Sequence, residues 1–375
     1  MQFVDKKSFH NSLFTFHKKV VSLQIHLKQK IMPYYHPLRR MEKVERLRTI
    51  EKILKLRSEL DKDIPQKTAN DTLLLATWNI REFSDNRLLE SLYYIAEIID
   101  RFDLVAVQEV SANLKGLENL MSLLGQNWDY IVTDSTDGTA GGGERMAFLY
   151  NKNKITFRKL AGEITLPANK LINGGLQFAR TPYCVAFQAK WFQFVLTTVH
   201  IFYGSTAKAD MEKRATEIDT LTSILSKRAK KEEVSYILLG DFNIPNVKDN
   251  TMKALEGNGF FVPEAIKQHP SDLGESKHYD QIAFNLALDK KMVVFSEKEQ
   301  KAGTFNFAKT VYTEDDWSVY KDYFPDKEKA KSEKDMKKYY SSKWRTFQMS
   351  DHLPLWVELK IDFSKQYLER IKAEI

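Results

Sequence analysis

The sequence predicts an α/β fold built on a mixed sheet system, and three observations carry that prediction. Short apolar runs with the character of buried strands alternate with stretches of helical periodicity. In the middle of the chain three strand runs succeed one another with no helix between them, which requires antiparallel neighbours beside parallel ones. The chain has 375 residues, 43% hydrophobic and 29% charged. That length accommodates a core of roughly 250–300 residues plus an extension.

Residues 1–70 form a basic, mainly helical extension, with 16 Lys and Arg against 7 Asp and Glu. From residue 71 onward the balance is 41 against 43. The surplus positive charge therefore belongs to the extension, and the main body carries no general attraction to polyanions. Within the extension, residues 40–60 place Val44, Leu47, Ile50 and Leu54 at helical spacing. They predict an amphipathic helix that packs on its own domain or lies on a partner or an anionic surface. Pro65 and the polar QKTAND stretch end it.

LLLATWNI is then a buried strand, residues 86–101 a helix with Leu88, Leu92, Ile95 and Ile99 on one face, and FDLVAVQEV a second strand. Residues 113–124 read as helix and WDYIVTD as strand, before a glycine-rich loop, DGTAGGGE. RMAFLYN, YCVAFQAKW and FQFVLTTVHIF are the three successive strands. Residues 208–231 are a long helix with Met211, Ala215, Ile218 and Leu221 on one side. YILLGDFN, HYDQIAFN, KMVVFS and LPLWVELKI are the later strands. Residues 308–345, charged and rich in aromatics, break this rhythm and read as a loop inserted over one face. The domain expectation is an extension over 1–70, a main domain over 71–362 and a tail over 363–375.

Some classes are excluded. The single cysteine, Cys184, permits no intrachain disulfide and no Cys-built zinc or iron–sulfur site. No run of about 18 apolar residues is present, so no membrane-spanning helix is expected. Lys18 and Lys19 interrupt any signal-peptide core, which gives the expectation of a cytoplasmic or otherwise intracellular protein.

Polar residues recur where apolar strands end, the usual place for sites on strand-edge loops. Asn79 ends LLLATWN, Glu109 ends LVAVQE, His200 ends VLTTVH, and Asp241 and Asn243 end YILLGDFN. Asp280 opens DQIAFN, and Asp351 and His352 precede LPLWVEL. A lone strand-end His or Asp is ordinarily a hydrogen-bonded or turn-capping residue; the recurrence is what suggests a site. The oxygen-rich set of Asn79, Glu109, Asp241, Asn243 and Asp351 suits Mg²⁺, Mn²⁺ or Ca²⁺ rather than Zn²⁺. With two imidazoles added, it fits phosphoester hydrolysis. A cation neutralises phosphoryl charge, one ring takes a proton from water and the other protonates the leaving group. Glu144 and Asp280 are the carboxylates available to orient those rings.

The motifs TWNIREF (77–83), VQEV (107–110), GERMAFLY (143–150), RTPY (180–183), TVHIFYG (198–204), LLGDFN (238–243), YDQI (279–282) and MSDHLP (349–354) come in that order. In them the chain resembles the endonuclease/exonuclease/phosphatase superfamily, in its deoxyribonuclease I-like branch. The resemblance implies a four-layer αββα sandwich with its site at one end. It implies Glu109 as main metal ligand supported by Asn79 and Asp351, and His200 and His352 as a catalytic pair with Glu144 and Asp280 as acid partners. Asp241 and Asn243 would position the attacking water, the phosphate or a second metal. Arg81, Arg180 and Tyr203 would contact substrate phosphate.

Two positions depart from relatives that read the DNA minor groove: Ser111 stands where they carry Arg, and Gly142 where they carry Tyr. The implied function is a Mg²⁺-dependent nuclease, with Mn²⁺ or Ca²⁺ as alternatives and DNA favoured over RNA as the nucleic-acid substrate. The alternative is a phosphatase or phospholipase of the same fold acting on inositol phosphates or sphingomyelin-like lipids. Against that alternative, Pro245 and YDQI replace the elements usual in inositol-polyphosphate 5-phosphatases.

Overall fold

The structure is a computed structural model, and it describes residues 33–135, 142–287 and 301–375. The sequence readings at Lys18 and Lys19, at Gly141 and over KMVVFS lie outside those residues. Residues 33–375 form one compact unit. Among the described residues no helix is long and apolar enough to cross a membrane.

Eleven strands form two sheets in the described residues. Taken in chain order, they are β1 (Thr72–Phe83), β2 (Leu104–Val110), β3 (Trp128–Val132), β4 (Arg145–Asn151), β5 (Thr156–Glu163), β6 (Tyr183–Ala189), β7 (Phe192–His200), β8 (Ser235–Asp241), β9 (Asp280–Asn285), β10 (Ala302–Thr304) and β11 (Leu355–Lys360). One sheet runs β10-β11-β1-β2-β4-β3 and the other β5-β6-β7-β8-β9. Each is mixed: β1 and β2 are parallel, as are β7 and β8, and the remaining pairs are antiparallel.

Side-chain alternation along β1 explains the layering. Leu73 and Leu75 point into the core shared with Leu196, Ile237 and Leu239 of the second sheet. Leu74, Ala76 and Trp78 point the other way, against the helices. The first sheet is covered by α1 (Lys43–Asp63), α2 (Leu89–Ile99) and α3 (Lys115–Leu124). On the second sheet, Ile218, Leu221 and Leu225 of α4 (Lys208–Glu232) join the core with the strand residues. This is the αββα sandwich that the sequence led us to expect.

Three readings change. The first concerns α1, which does pack on its own domain, but not through Val44, Leu47, Ile50 and Leu54. Those four face outward, with Val44 77% and Leu54 61% exposed. Thr49, Ile53, Leu56 and Leu60 are buried instead. Charge sets the rotation. Glu90 and Glu97 of the buried helix α2 are met by Arg48 at 3.0 Å and Arg57 at 2.8 Å, and Lys52 reaches Asp316 at 2.7 Å. Leaving either glutamate unpaired in that interface costs more than exposing a few aliphatic side chains.

The second is residues 308–345, which fold as short helical segments rather than a loop, among them Trp317–Tyr320, Asp326–Lys329 and Glu333–Tyr339. Buried Tyr312, Tyr320, Phe324, Tyr340 and Trp344 pack among themselves and join the core of the first sheet. The third is the tail, where residues Ser364–Ala373 are helical. Replacing Leu56, fully buried on α1, with alanine is expected to cost about 2–5 kcal/mol in denaturant unfolding, whereas Leu47→Ala stays within about 0.5 kcal/mol.

Candidate active site

The sandwich gathers the candidate residues at the carboxyl ends of β1, β2, β7 and β8. In the second sheet the register places His200 beside Asp241, and Asp241 beside Asp280. In the first sheet the pairing of β1 with β2 shifts register between Asn79 and Phe83, a bulge that re-aims the chain after Asn79. Glu109, next to last in β2, has a left-handed φ of 60°. Its Oε2 accepts the Glu82 N–H at 2.9 Å. Strain of this kind at a polar strand end is common at functional sites.

Asn79 joins the two sheets. Its Nδ2 donates to Glu109 Oε1 at 2.8 Å and to Asp241 Oδ2 at 3.0 Å. Behind it, Gln108 Nε2 donates to Thr77 Oγ1 and Thr198 Oγ1 at 3.1 and 2.9 Å, a polar bridge between the sheets in an otherwise apolar layer. The GDFN turn is equally fixed. Gly240 has φ 135°, and a Cβ there would sit 2.2 Å from the Val199 carbonyl oxygen, so only glycine lets β8 lie this close to β7. Asp241 Oδ1 accepts the Asn243 N–H at 2.8 Å, and Asn243 Nδ2 donates to the Ile201 carbonyl at 2.8 Å.

The two imidazoles converge on one atom. His200 Nε2 is 3.6 Å from Asp241 Oδ2, and His352 Nε2 is 3.8 Å from the same oxygen. Each ring is backed on its other nitrogen by a carboxylate, His352 Nδ1 at 2.7 Å from Asp280 Oδ2 and His200 Nδ1 at 3.2 Å from Glu144 Oε2. Ser350 seats His352: its Oγ accepts the His352 N–H at 2.9 Å and donates to the Asn79 carbonyl at 2.6 Å.

Burial opposes a charged His352, but Asp280 and Asp241 outweigh it and hold the imidazole well above its ordinary value. Burial also pushes the Asp280 carboxyl up. Of the pair, the ring is the better place for the proton, because two carboxylates face it. Burial likewise raises Glu144, yet His200 and Arg180 overcome it and bring that carboxyl down to about 2.

The remaining candidates are placed less centrally. Arg180 is committed to Glu144, with contacts of 2.8 and 3.4 Å. Arg81 donates to Thr346 Oγ1 at 2.7 Å and lies 3.9 Å from Asp351. Tyr203 is partly exposed beneath the Arg214 guanidinium, whose carbon is 5.1 Å from the ring centroid. Asp351, its side chain 49% exposed, pairs with Arg81. The acidic and imidazole ligand atoms that do gather within 4.8 Å of one another belong to Glu109, Glu144 and His200. The donor set fits a hard divalent cation at Glu109. Asn79, which donates to Glu109 through Nδ2, keeps its Oδ1 buried with no hydrogen-bond partner.

Sequence reading missed Ser350, the Thr77–Gln108–Thr198 bridge, and two buried charges of α4, Arg214 and Glu217. The helical periodicity of 208–231 held a signal for the last two. Both fall within the apolar arc containing Ile218 and Leu221, where a surface helix has no charges.

Known proteins share this architecture. Residues 76–290 match the model of the Endonuclease/Exonuclease/phosphatase family. The chain is 27% identical over 179 residues to Deoxyribonuclease-1 of Canis lupus familiaris, covering 46% of this chain and 60% of that protein. It is 27% identical over 183 residues to Deoxyribonuclease-1 of Bos taurus, covering 46% and 61%. The chain thus spans about 60% of the length of the curated relatives it matches. Among solved structures, an endonuclease/exonuclease/phosphatase family protein from Bacteroides thetaiotaomicron superposes with a TM-score of 0.50 at 16% identity, over 78% of this chain and 96% of that one. That likeness is one of fold.

Proposed function

The chain belongs to the endonuclease/exonuclease/phosphatase family, and from that premise we propose that it is a divalent-metal-dependent phosphodiesterase acting on DNA, with Mg²⁺ as its cation. The observation that carries this reading is the convergence of both imidazoles, each with its own carboxylate, on Asp241 Oδ2. DNA is the favoured substrate because the curated relatives are deoxyribonucleases by name.

Glu109, with Asn79 Oδ1, would hold the cation. When bound, it neutralises charge on the phosphoryl oxygens and on the leaving oxygen. The chain's own residues supply the rest. Asp241 and Asn243 orient the attacking water, fixed by the hydrogen bonds of the GDFN turn. His200, backed by Glu144, takes a proton from that water, and His352, carrying its proton against Asp280, gives it to the leaving oxygen. Arg180 acts mainly through Glu144, because its guanidinium is already engaged there.

A substrate panel tests the proposal. Supercoiled plasmid, single-stranded RNA, an inositol polyphosphate and sphingomyelin vesicles are each incubated with Mg²⁺ or Mn²⁺. Nicking of the plasmid without release of inorganic phosphate is the expected result. Phosphate released from the inositol polyphosphate, with both nucleic acids intact, would replace the phosphodiesterase reading by a phosphatase one.

A further inference from the structure

We propose that Arg214 and Glu217, one turn apart on α4, are positioning residues that hold three active-site segments in register. Both are buried, at 0% and 1% exposure. Among the described residues neither makes an ion pair within 4 Å, with each other or with any other side chain. Their charges are spent on backbone. Arg214 Nε donates to the Phe202 carbonyl at 3.0 Å, Nη2 to those of Tyr203 and, at 3.3 Å, Ser205, and Nη1 to that of Asn243 at 2.6 Å. Glu217 Oε1 accepts the Ala179 N–H at 3.2 Å.

Those partners are not scattered. Phe202, Tyr203 and Ser205 continue directly from His200, Asn243 ends the GDFN turn, and Ala179 precedes Arg180, which braces Glu144. One turn of one helix therefore fixes the segment leaving β7, the segment leaving β8, and the approach to β6. Arg214 holds the first two segments and Glu217 the third. A charge buried without a counter-charge is costly unless its hydrogen bonds are all used, so an apolar pair would serve packing better. What the charged pair adds is direction: a planar five-donor fork matches several carbonyls at fixed angles, which no aliphatic side chain can do and a lysine does poorly. Because His200 and Asp241 face each other across β7 and β8, a small drift between the two segments beyond them misaligns the imidazole and the carboxylate. Misplacement on the scale of 1 Å is worth about 100-fold in rate.

The kinetic arm of the test rests on the phosphodiesterase reading; the exchange arm does not. Amide hydrogen exchange is monitored in the full chain for wild type, Arg214→Lys, Glu217→Gln and Glu217→Ala, alongside steady-state cleavage of plasmid or of a chromogenic phosphodiester. In Arg214→Lys, peptides covering 201–206 and 242–246 are expected to exchange at least about tenfold faster, with the interiors of β7 and β8 unchanged. Turnover falls about 10–100-fold and KM stays within about twofold. Glu217→Gln, whose amide oxygen still accepts the Ala179 N–H, retains wild-type protection and rate. Glu217→Ala loses protection at 179 with a matching loss of kcat. Unchanged exchange in 201–206 in Arg214→Lys together with unchanged exchange at 179 in Glu217→Ala would overturn the inference, as would equal damage from Glu217→Gln and Glu217→Ala. Should Arg214→Lys fail to fold, the two Glu217 variants decide. A wild type inert on every phosphodiester would sink the functional reading while exchange still judged these two residues.

Discussion

His352→Ala is expected to lower kcat by about 10²–10⁴-fold, with a melting temperature below that of the parent because fully buried Asp280 loses its partner. The ring sits where the most interactions meet. Its Nδ1 is 2.7 Å from a fully buried Asp280, its Nε2 faces Asp241, and its backbone is fixed through Ser350 to the strand that carries Asn79. Asp280 and Asp241 overcome burial and raise the imidazole above its ordinary value, so it keeps its proton through neutral pH. A donor of this kind is competent below its folded pKa and lost above it, so kcat falls on the alkaline side. The same raised pKa makes the His352–Asp280 contact stabilising at acid and neutral pH, and that contribution fades as pH rises through the folded value. A pH–rate profile of His352→Ala should lack the alkaline limb seen in the parent. Wild-type turnover in this variant would remove His352 from the mechanism.

Glu109→Ala is the second large effect. The cation requirement is expected to rise by about 10–100-fold or more, read as the Mg²⁺ or Mn²⁺ concentration giving half-maximal activity. Glu109 accepts from Asn79 Nδ2 at 2.8 Å, and it takes part in the cluster with Glu144 and His200. Stability should change little, because alanine and glutamate tolerate the left-handed φ about equally, and the side chain is only partly buried. Asp351→Ala is the informative companion. Its carboxylate lies with Arg81 and outside the Glu109 cluster. A metal requirement displaced equally by both substitutions would show that Asp351 reaches the cation in the working enzyme.

The two-sheet sandwich was legible because its strands are buried on both sides and so read as uninterrupted apolar runs, as in LLLATWNI and YILLGDFN. The polar residues that end those runs stood out against them, which is why Asn79, Glu109, His200 and Asp241 were legible too. Where burial is partial the signal weakens. β5 has almost no buried residue and left no strand pattern to read. On α1 the aliphatic stripe and the true inner face are both spaced for a helix, and the choice between them depends on Glu90 and Glu97, some 40 residues away. Residues 308–345 pack through scattered tyrosines and tryptophans on segments too short to show a period. The linkages within the site were hardest to foresee. That Arg180 would be spent on Glu144, and that a serine would seat His352, depends on distances between segments far apart in the chain.

If the convergence at Asp241 is a phosphodiester-cleaving centre, cleavage depends on that carboxylate and on a divalent cation. That dependence is tested most directly by incubating supercoiled plasmid with the wild-type chain and with Asp241→Ala, in Mg²⁺ or Mn²⁺ and in EDTA. The wild type is expected to nick with either cation and not in EDTA, and the variant to lose at least about 100-fold while retaining the native circular dichroism spectrum. Cleavage by Asp241→Ala at the wild-type rate, or cleavage that persists in EDTA, would contradict that dependence.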